Sequence, residues 1–285
     1  SEEVSLDALY RLAVKKNKTW TLWQKDLQSA NDEYEALPVD ASPELRQEKL
    51  NKISAFVGML NDPFNYREFT INNPQLSTEN LEVPDVAVLE NGYYENTTGL
   101  INKWKEPVRT VTTNFNPEIV KGNPVLVIPS GGLYGLENSA MLKAQFSEYV
   151  KQGGTLIVFA QQHGYEFNIL PVPQEQDGTY KTITGYGWTE DQSCFTNAVY
   201  IDTYQQFLSG QSKSTPTLNV DGYFTSFPSN ATVILRRTAN GQPSMIMYDY
   251  GLGKVIVSSL FSDWGYGHGQ ASPEEIALVR DMISW

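Results

Sequence analysis

Cysteine is nearly missing from this sequence: Cys194 is the only one among 285 residues. A single thiol excludes an internal disulfide framework and a cysteine-rich metal site. Histidine is almost as scarce, with only His163 and His268. Basic residues are outnumbered, 21 Lys and Arg against 33 Asp and Glu, for a formal net charge of −12. The cations are scattered and form no stripe. A polyanion would meet a repulsive field, so nucleic acid is not an expected partner. No apolar run approaches the ~18 residues needed to cross a bilayer, so no membrane span is expected. No signal peptide or internal repeat is visible, and the sequence runs from Ser1 to Trp285, inside an apparent helix, as a fragment of a longer protein would. Low cysteine, an acidic balance and many Tyr, Asn, Thr and Gln residues lean towards an exported bacterial protein.

What is present suits a globular chain: 40% hydrophobic and 19% charged residues. The length accommodates one large domain, or a core domain with a smaller one. The stretch from Gly122 to Phe167 organises the rest. Val125–Ile128 is a short, fully apolar run, as in a strand buried on both faces. Ser130-Gly131-Gly132 makes a Gly-rich turn. Leu142, Phe146, Tyr149 and Val150 then follow helical spacing, with Asn138 or Ser139 as N-cap and Gly153 past the end. Leu156–Phe159 is a second buried strand. Strand, helix and strand within about forty-five residues form a βαβ unit, hence a parallel sheet and a right-handed crossover. Ligands sit at the carboxyl ends of strands in such sheets, which here means the loops Pro129–Tyr134 and Ala160–Tyr165.

On these motifs the unit resembles the class I glutamine amidotransferase-like superfamily, from roughly Pro84 to Trp285. The resemblance implies a flavodoxin-like α/β fold. In that family an S-G-G turn helps build an oxyanion hole, and a G-x-C-x-G elbow after the next strand presents the nucleophile. The first motif is intact as Ser130-Gly131-Gly132. The second reads Ala160-Gln161-Gln162-His163-Gly164, so Gln162 stands where the cysteine should be. The family's histidine follows the last core strand. The matching region, Leu260-Phe261-Ser262-Asp263-Trp264, has none at that place, and His268 comes a few residues later.

Residues 1–80 read as a helical arm and linker, packed on the core or on another part of a longer protein. Leu6, Leu9, Tyr10 and Ala13 are spaced for one helix, and residues 20–36 continue helically. Ser42-Pro43-Glu44 starts another helix, with Leu50, Ile53, Phe56, Val57 and Leu60 on one face and a stop at Asn61-Asp62-Pro63. Residues 63–82 read as a linker. The α/β domain occupies 81–285. Its first strand is Val86–Leu89, followed by a helix over Thr97–Trp104 and a second strand, Val108–Thr112, at an edge. About 165–228 breaks the α/β rhythm and reads as an insertion over the carboxyl edge of the sheet. Thr232–Arg236, Ser244–Tyr248 and Val255–Leu260, with turns at Asn240-Gly241 and Gly251–Gly253, form an antiparallel meander. Ser272-Pro273-Glu274-Glu275 opens the last helix, with Ile276, Val279, Met282 and Ile283 facing the core.

A glutaminase needs a thiolate, an imidazole and a carboxylate. A carboxamide at position 162 forms hydrogen bonds but does not attack a carbonyl. Cys194 lies in the insertion with no elbow around it, as expected of an inert buried thiol. His163 and His268 both fall in carboxyl-edge loops, near Glu166 and Asp263. Such a set could run acid–base chemistry for a hydrolase acting on a glycan or amide. Its spacing matches no metal motif, and no cofactor is implied. Tyr134, Gln161, Gln162, Tyr165, Tyr186, Trp188, Trp264 and Tyr266 crowd the same edge. Rings beside amides suit neutral, hydroxyl-rich ligands such as sugars. They equally suit closure of the insertion onto the sheet. The sequence therefore predicts a non-catalytic relative with a ligand site at Ser130–Tyr134, Gln161–Glu166 and Asp263–His268. Its partners are a small molecule or glycan, or other domains of a longer chain.

Overall fold

The computed structural model describes residues 22–59, 82–173, 185–191 and 196–285, which fall into two compact units. The expected helix through Leu6, Leu9, Tyr10 and Ala13, the stop at 61–63, nearly all of the linker and Cys194 lie outside the described residues.

One unit contains helices α1 (Leu22–Glu35) and α2 (Pro43–Met59), with residues 203–214 and Trp285. Helix α2 begins as its sequence dictates. The Ser42 hydroxyl accepts the Leu45 amide at 3.2 Å, Pro43 opens the helix, and Glu44 sits in the positive first turn. The Arg46 guanidinium donates to the Pro38 and Val39 carbonyls, at 2.6 and 3.0 Å, and so clamps the connection between the helices. Glu33 of α1 meets Lys52 and Lys49 of α2, each at 3.1 Å. These two lysines, Lys52 first, hold its carboxyl below the usual range. At this exposure the pairs fix register more than they stabilise. Ala30 and Ile53 are fully buried.

The other unit is an α/β domain. Its strands are β1 (Val86–Leu89), β2 (Arg109–Val111), β3 (Val125–Ile128), β4 (Thr155–Val158), β5 (Gly187–Thr189), β6 (Thr196–Ile201), β7 (Thr217–Asn219), β8 (Tyr223–Ser226), β9 (Thr232–Arg237), β10 (Pro243–Tyr250) and β11 (Gly253–Ser258). Its helices are α3 (Tyr94–Ile101), α4 (Ala140–Lys151), α5 (Ser262–Gly267) and α6 (Pro273–Ser284). Among the described residues, nine strands form one mixed sheet in the order β2-β1-β3-β4-β11-β10-β9-β6-β7. From β2 to β11 neighbours are parallel, and from β11 to β7 antiparallel. Counting β11 as the fifth parallel strand gives the 2-1-3-4-5 order of flavodoxin-like sheets, with the topological switch between β1 and β3.

Alternation sorts the core. Ala87, Leu89, Leu126, Ile128, Leu156, Val158, Val255 and Val257 join one apolar cluster with Leu142, Phe146, Tyr149 and Val150 of α4. Val86, Val88, Val127, Ile157 and Ile256, the opposite set, are equally buried. That double burial explains why β1, β3 and β4 carry almost no polar residue on either face. Helix α4 is capped as its sequence implied: the Ser139 hydroxyl accepts the Leu142 amide, and Gly153 takes a positive φ.

Two elements differ from expectation. Helix α3 starts three residues before Thr97, because the Tyr93 carbonyl already accepts the Asn96 and Thr97 amides. The stretch 165–228 also builds sheet. It supplies β6 and β7, which extend the sheet beyond β9, and the strands of the β5–β8 pair. These strands are three to six residues long with mixed burial. β5, β7 and β8 show neither strict alternation nor a continuous apolar run, the two signals by which strands are read, and in β6 the apolar run is confined to Ala198–Ile201.

One buried cation gives this domain a pH signature. Lys254 on β11 is 6% exposed. Burial pulls its ammonium down to about 7, against the opposing charge of Asp249. In the unfolded chain it remains protonated up to the ordinary lysine range. Between those two values the unfolded state binds the extra proton, so stability rises with pH. The slope should approach about 1.4 kcal/mol per pH unit between pH 8 and 10. Urea titrations across that window should show the rise in the native protein, and Lys254→Met should flatten it.

Candidate functional site

Four loops meet at the carboxyl edge of the parallel strands: 90–93 after β1, 129–134 after β3, 159–166 after β4 and 259–263 after β11. The first two touch at the switch point. The Tyr93 amide donates to the Ser130 carbonyl at 3.0 Å, and the Asn91 carboxamide donates to the Gly132 carbonyl at 2.8 Å. Gly92 makes that approach possible. Its φ is +60°, and a Cβ there would lie 2.5 Å from the Gly131 carbonyl carbon and 2.6 Å from the Gly132 nitrogen.

Asp263 joins the loops. It is fully buried and its carboxylate accepts four hydrogen bonds. The Ser130 hydroxyl donates at 2.5 Å, the Ser130 amide at 2.9 Å, the Thr97 hydroxyl at 2.8 Å and the Trp264 amide at 2.9 Å. Burial raises its pKa above the ordinary aspartate value, against the pull of those donors. Glu275 on α6 repeats the arrangement one layer away. It accepts from the Asn219 amide, the Asn219 carboxamide and the Ser262 hydroxyl. Burial raises its pKa too, with the Asp263 charge adding a smaller push.

The S-G-G turn and the bend at residue 162 are brought together. The Gly131 amide donates to the Ala160 carbonyl at 2.8 Å. A Cβ on Gly131 would lie 4.0 Å from Gln162 Nε2. Gln161 is buried between the two loops. Its Oε1 accepts the Leu133 amide at 2.8 Å, and its Nε2 donates to the Phe159 and Pro129 carbonyls at 2.9 and 3.1 Å. The remaining amides of the turn are also occupied: Ser130 by Asp263, Gly132 by the Pro129 carbonyl and Tyr134 by the Gly131 carbonyl. At the bend, the Gln162 and His163 amides both donate to Glu166 Oε2, at 3.0 and 3.3 Å. Gly164 then runs against Trp188, whose carbonyl oxygen would be 2.8 Å from an added Cβ. A 3-10 turn, Gly164–Ile169, follows.

Ser130, Gln161 and Asp263, expected at a ligand-facing edge, are therefore buried and bonded within the protein. Gln162, His163, Tyr134 and Tyr165 are exposed or partly so. His163 Nδ1 lies 2.9 Å from Glu166 Oε1. A carboxylate only accepts, so Nδ1 carries the proton of that bond, and Nε2 is an acceptor when the imidazole is neutral. His268 does not pair with Asp263. Its Nδ1 meets the Trp264 carbonyl at 2.7 Å, and its ring stacks on the Trp264 indole at 3.9 Å. Each imidazole thus has a local partner on its own loop.

The aromatic residues divide. Tyr134, His163 and Tyr165 form an exposed row, with His163 and Tyr165 stacked at 5.0 Å and Tyr134 tilted at 6.3 Å from His163. Tyr134 is 59% and Tyr165 52% exposed, enough to present a ring to a ligand. Tyr93, 46% exposed, stands beside Gly131. Tyr186 instead belongs to the core, against Phe167 and Phe224, with its hydroxyl on Tyr248. Trp188 packs on Phe167. The face of Tyr266 is taken by the Lys103 ammonium, 5.2 Å from the ring centroid.

Sequence reasoning missed Asn91, Gly92, Tyr93 and Thr97. Their signal was faint: a glycine shortly after a strand, and a threonine in the first turn of a short helix. Among the described residues no group of three or more His, Cys, Asp or Glu side chains is placed to hold a metal ion. Among them, too, no helix is long and apolar enough to cross a membrane.

No family model matches the chain, and no curated protein sequence matches it. Solved structures are similar at low identity. A cytoplasmic protein from Salmonella typhimurium is 15% identical with a TM-score of 0.49, covering 70% of this chain and 97% of its own. A protein described as a GMP synthase component, from Thermoplasma acidophilum, is 11% identical with a TM-score of 0.49, covering 70% and 92%. An exo-β-1,4-mannosidase from an Opitutaceae bacterium is 13% identical with a TM-score of 0.44, covering 86% of this chain and 43% of the enzyme.

Asp263→Ala should be among the most damaging single changes. It leaves the Ser130 hydroxyl and amide and the Trp264 amide without an acceptor, while the Thr97 hydroxyl keeps only the Tyr93 carbonyl at 3.2 Å, at a cost of about 3 kcal/mol or more. Thr97→Val removes one donor and should cost about 1 kcal/mol. Urea denaturation of both variants beside the native protein measures the difference.

Proposed function

We propose that the chain is a ligand-binding module built on an amidotransferase-like core without glutaminase chemistry, its ligand a hydroxyl-rich molecule such as a sugar. One observation carries the first half. The backbone N–H groups of Ser130–Tyr134, Gln162 and His163 already donate inside the chain. An oxyanion hole needs donors aimed at an empty position where negative charge develops. With the carboxamide of Gln162 at the bend, neither nucleophile nor hole is supplied. The second half is supported by the exposed rings of Tyr93, Tyr134 and Tyr165 around Gln162, at the switch point of the sheet. Assembly with other domains of a longer chain is compatible with the same surface.

A second reading is favoured by the His163–Glu166 pair. A buried carboxylate orienting an imidazole, with Nε2 as an acceptor, is the arrangement of a general base. It would act on water in a hydrolase of glycans or amides. His268 and Asp263, engaged elsewhere, give this reading no support.

Three measurements separate the readings. Ammonia release from glutamine should be at background in the native protein and in Gln162→Cys, since a thiol alone does not free the amides. Melting temperature should rise with the concentration of a neutral oligosaccharide. Tyr165→Ala should weaken that binding about tenfold. Hydrolysis of oligosaccharides that disappears in His163→Asn would establish the general-base reading instead.

A further inference from the structure

Two carboxylates under the carboxyl edge have unequal room for a proton. Asp263 and Glu275 are both fully buried, and among the described residues no cationic side chain is paired with either. Asp263 is faced by the Ser130 hydroxyl and amide from the loop after β3, the Thr97 hydroxyl from α3, the Trp264 amide from α5 and the Glu275 carboxylate from α6. Glu275 is faced by the Asn219 amide and carboxamide from β7, and by the Ser262 hydroxyl and the Asp263 charge from α5. A carboxylate has about four lone-pair sites, two on each oxygen. Asp263 fills both oxygens: Oδ1 accepts the Ser130 hydroxyl and the Trp264 amide, and Oδ2 accepts the Ser130 amide and the Thr97 hydroxyl. Glu275 fills only one. Its Oε1 accepts the Asn219 amide at 2.9 Å and the Ser262 hydroxyl at 2.7 Å, while its Oε2 accepts the Asn219 carboxamide alone, at 2.7 Å. A proton on Asp263 must turn one of its donors away. A proton on Glu275 Oε2 displaces none.

We propose that Glu275 and Asp263 form an acid-strengthened latch: at mildly acidic pH Glu275 takes one proton, at Oε2, Asp263 keeps its charge, and the tie between β7, α5 and the S-G-G loop tightens. Two uncompensated charges in one buried layer are unfavourable, and a single proton removes both the desolvation of Glu275 and its repulsion from Asp263. The Asp263 charge, still met by four donors, continues to hold Ser130 and Thr97. The sign follows from burial, which raises Glu275 above its ordinary value of 4.5 in the folded chain. The stabilisation is complete below that ordinary value and is lost as pH rises through the higher folded one. A carboxylate paired with a cation behaves the opposite way and loses its contribution in acid. The latch is independent of which ligand the edge takes.

Carbon NMR of the side-chain carboxyls in the whole chain, followed from about pH 7 to about pH 4, tests where the proton goes. The Glu275 resonance should titrate first, with Asp263 still at its charged position. Asp263 titrating first, or both staying charged until the chain unfolds in acid, would overturn the proposal. Ser262→Ala removes a donor to the charged form, so the Glu275 midpoint should move to higher pH. Urea titrations of the native protein beside Glu275→Gln test the effect on stability. From about pH 7 to about pH 5 the unfolding constant of the native protein should fall about threefold or more relative to that variant. An equal pH response in the two proteins would overturn the latch. Should Glu275→Gln fail to fold, the Ser262→Ala titration decides alone, and an unchanged or lower midpoint sinks the proposal.

Discussion

The carboxyl edge of this domain depends on one buried carboxylate. Asp263 is where the loop after β3, the helix after β1 and the helix after β11 meet, through donors from Ser130, Thr97 and Trp264. Burying a charged group is unfavourable unless its acceptor capacity is filled. Four donors fill it, and the requirement works in both directions. The loops must keep their positions to satisfy Asp263, and Asp263 must stay in place to satisfy the loops. Glu275 ties β7 and the start of α5 by the same device.

This arrangement decides what the edge displays. The backbone donors of the turn and the bend are turned inward, onto Ala160, Pro129, Gln161 and Glu166. What remains at the surface is side chains: the Gln162 carboxamide, the His163 imidazole and the phenol rings of Tyr93, Tyr134 and Tyr165.

Much of this was legible in the amino-acid order, for identifiable reasons. β1, β3 and β4 are buried on both faces, so their apolar runs are continuous. Helix α4 shows its period, its cap at Ser139 and its stop at Gly153 because each is a local interaction. The contact of His163 with Glu166 spans three residues and is likewise local. The partners of Asp263 were not legible at all, because the Ser130 and Thr97 donors that claim it lie 133 and 166 residues away. β7 was unreadable because three residues carry no period, and β6 because its apolar residues occupy only its second half, with mixed burial.

The sequence alone determined the βαβ core, the meander and the helix caps, since all of these follow from periodicity and residue chemistry within a few turns of chain. Tertiary structure alone decided which polar groups face outward. Whether Gln161 or Gln162 is buried, whether Tyr186 or Tyr165 meets solvent, and which partner Asp263 takes are set by contacts between segments far apart in the chain. Hydrogen-bond satisfaction in a buried site is a property of the whole set of donors and acceptors, and no single stretch of sequence contains that set.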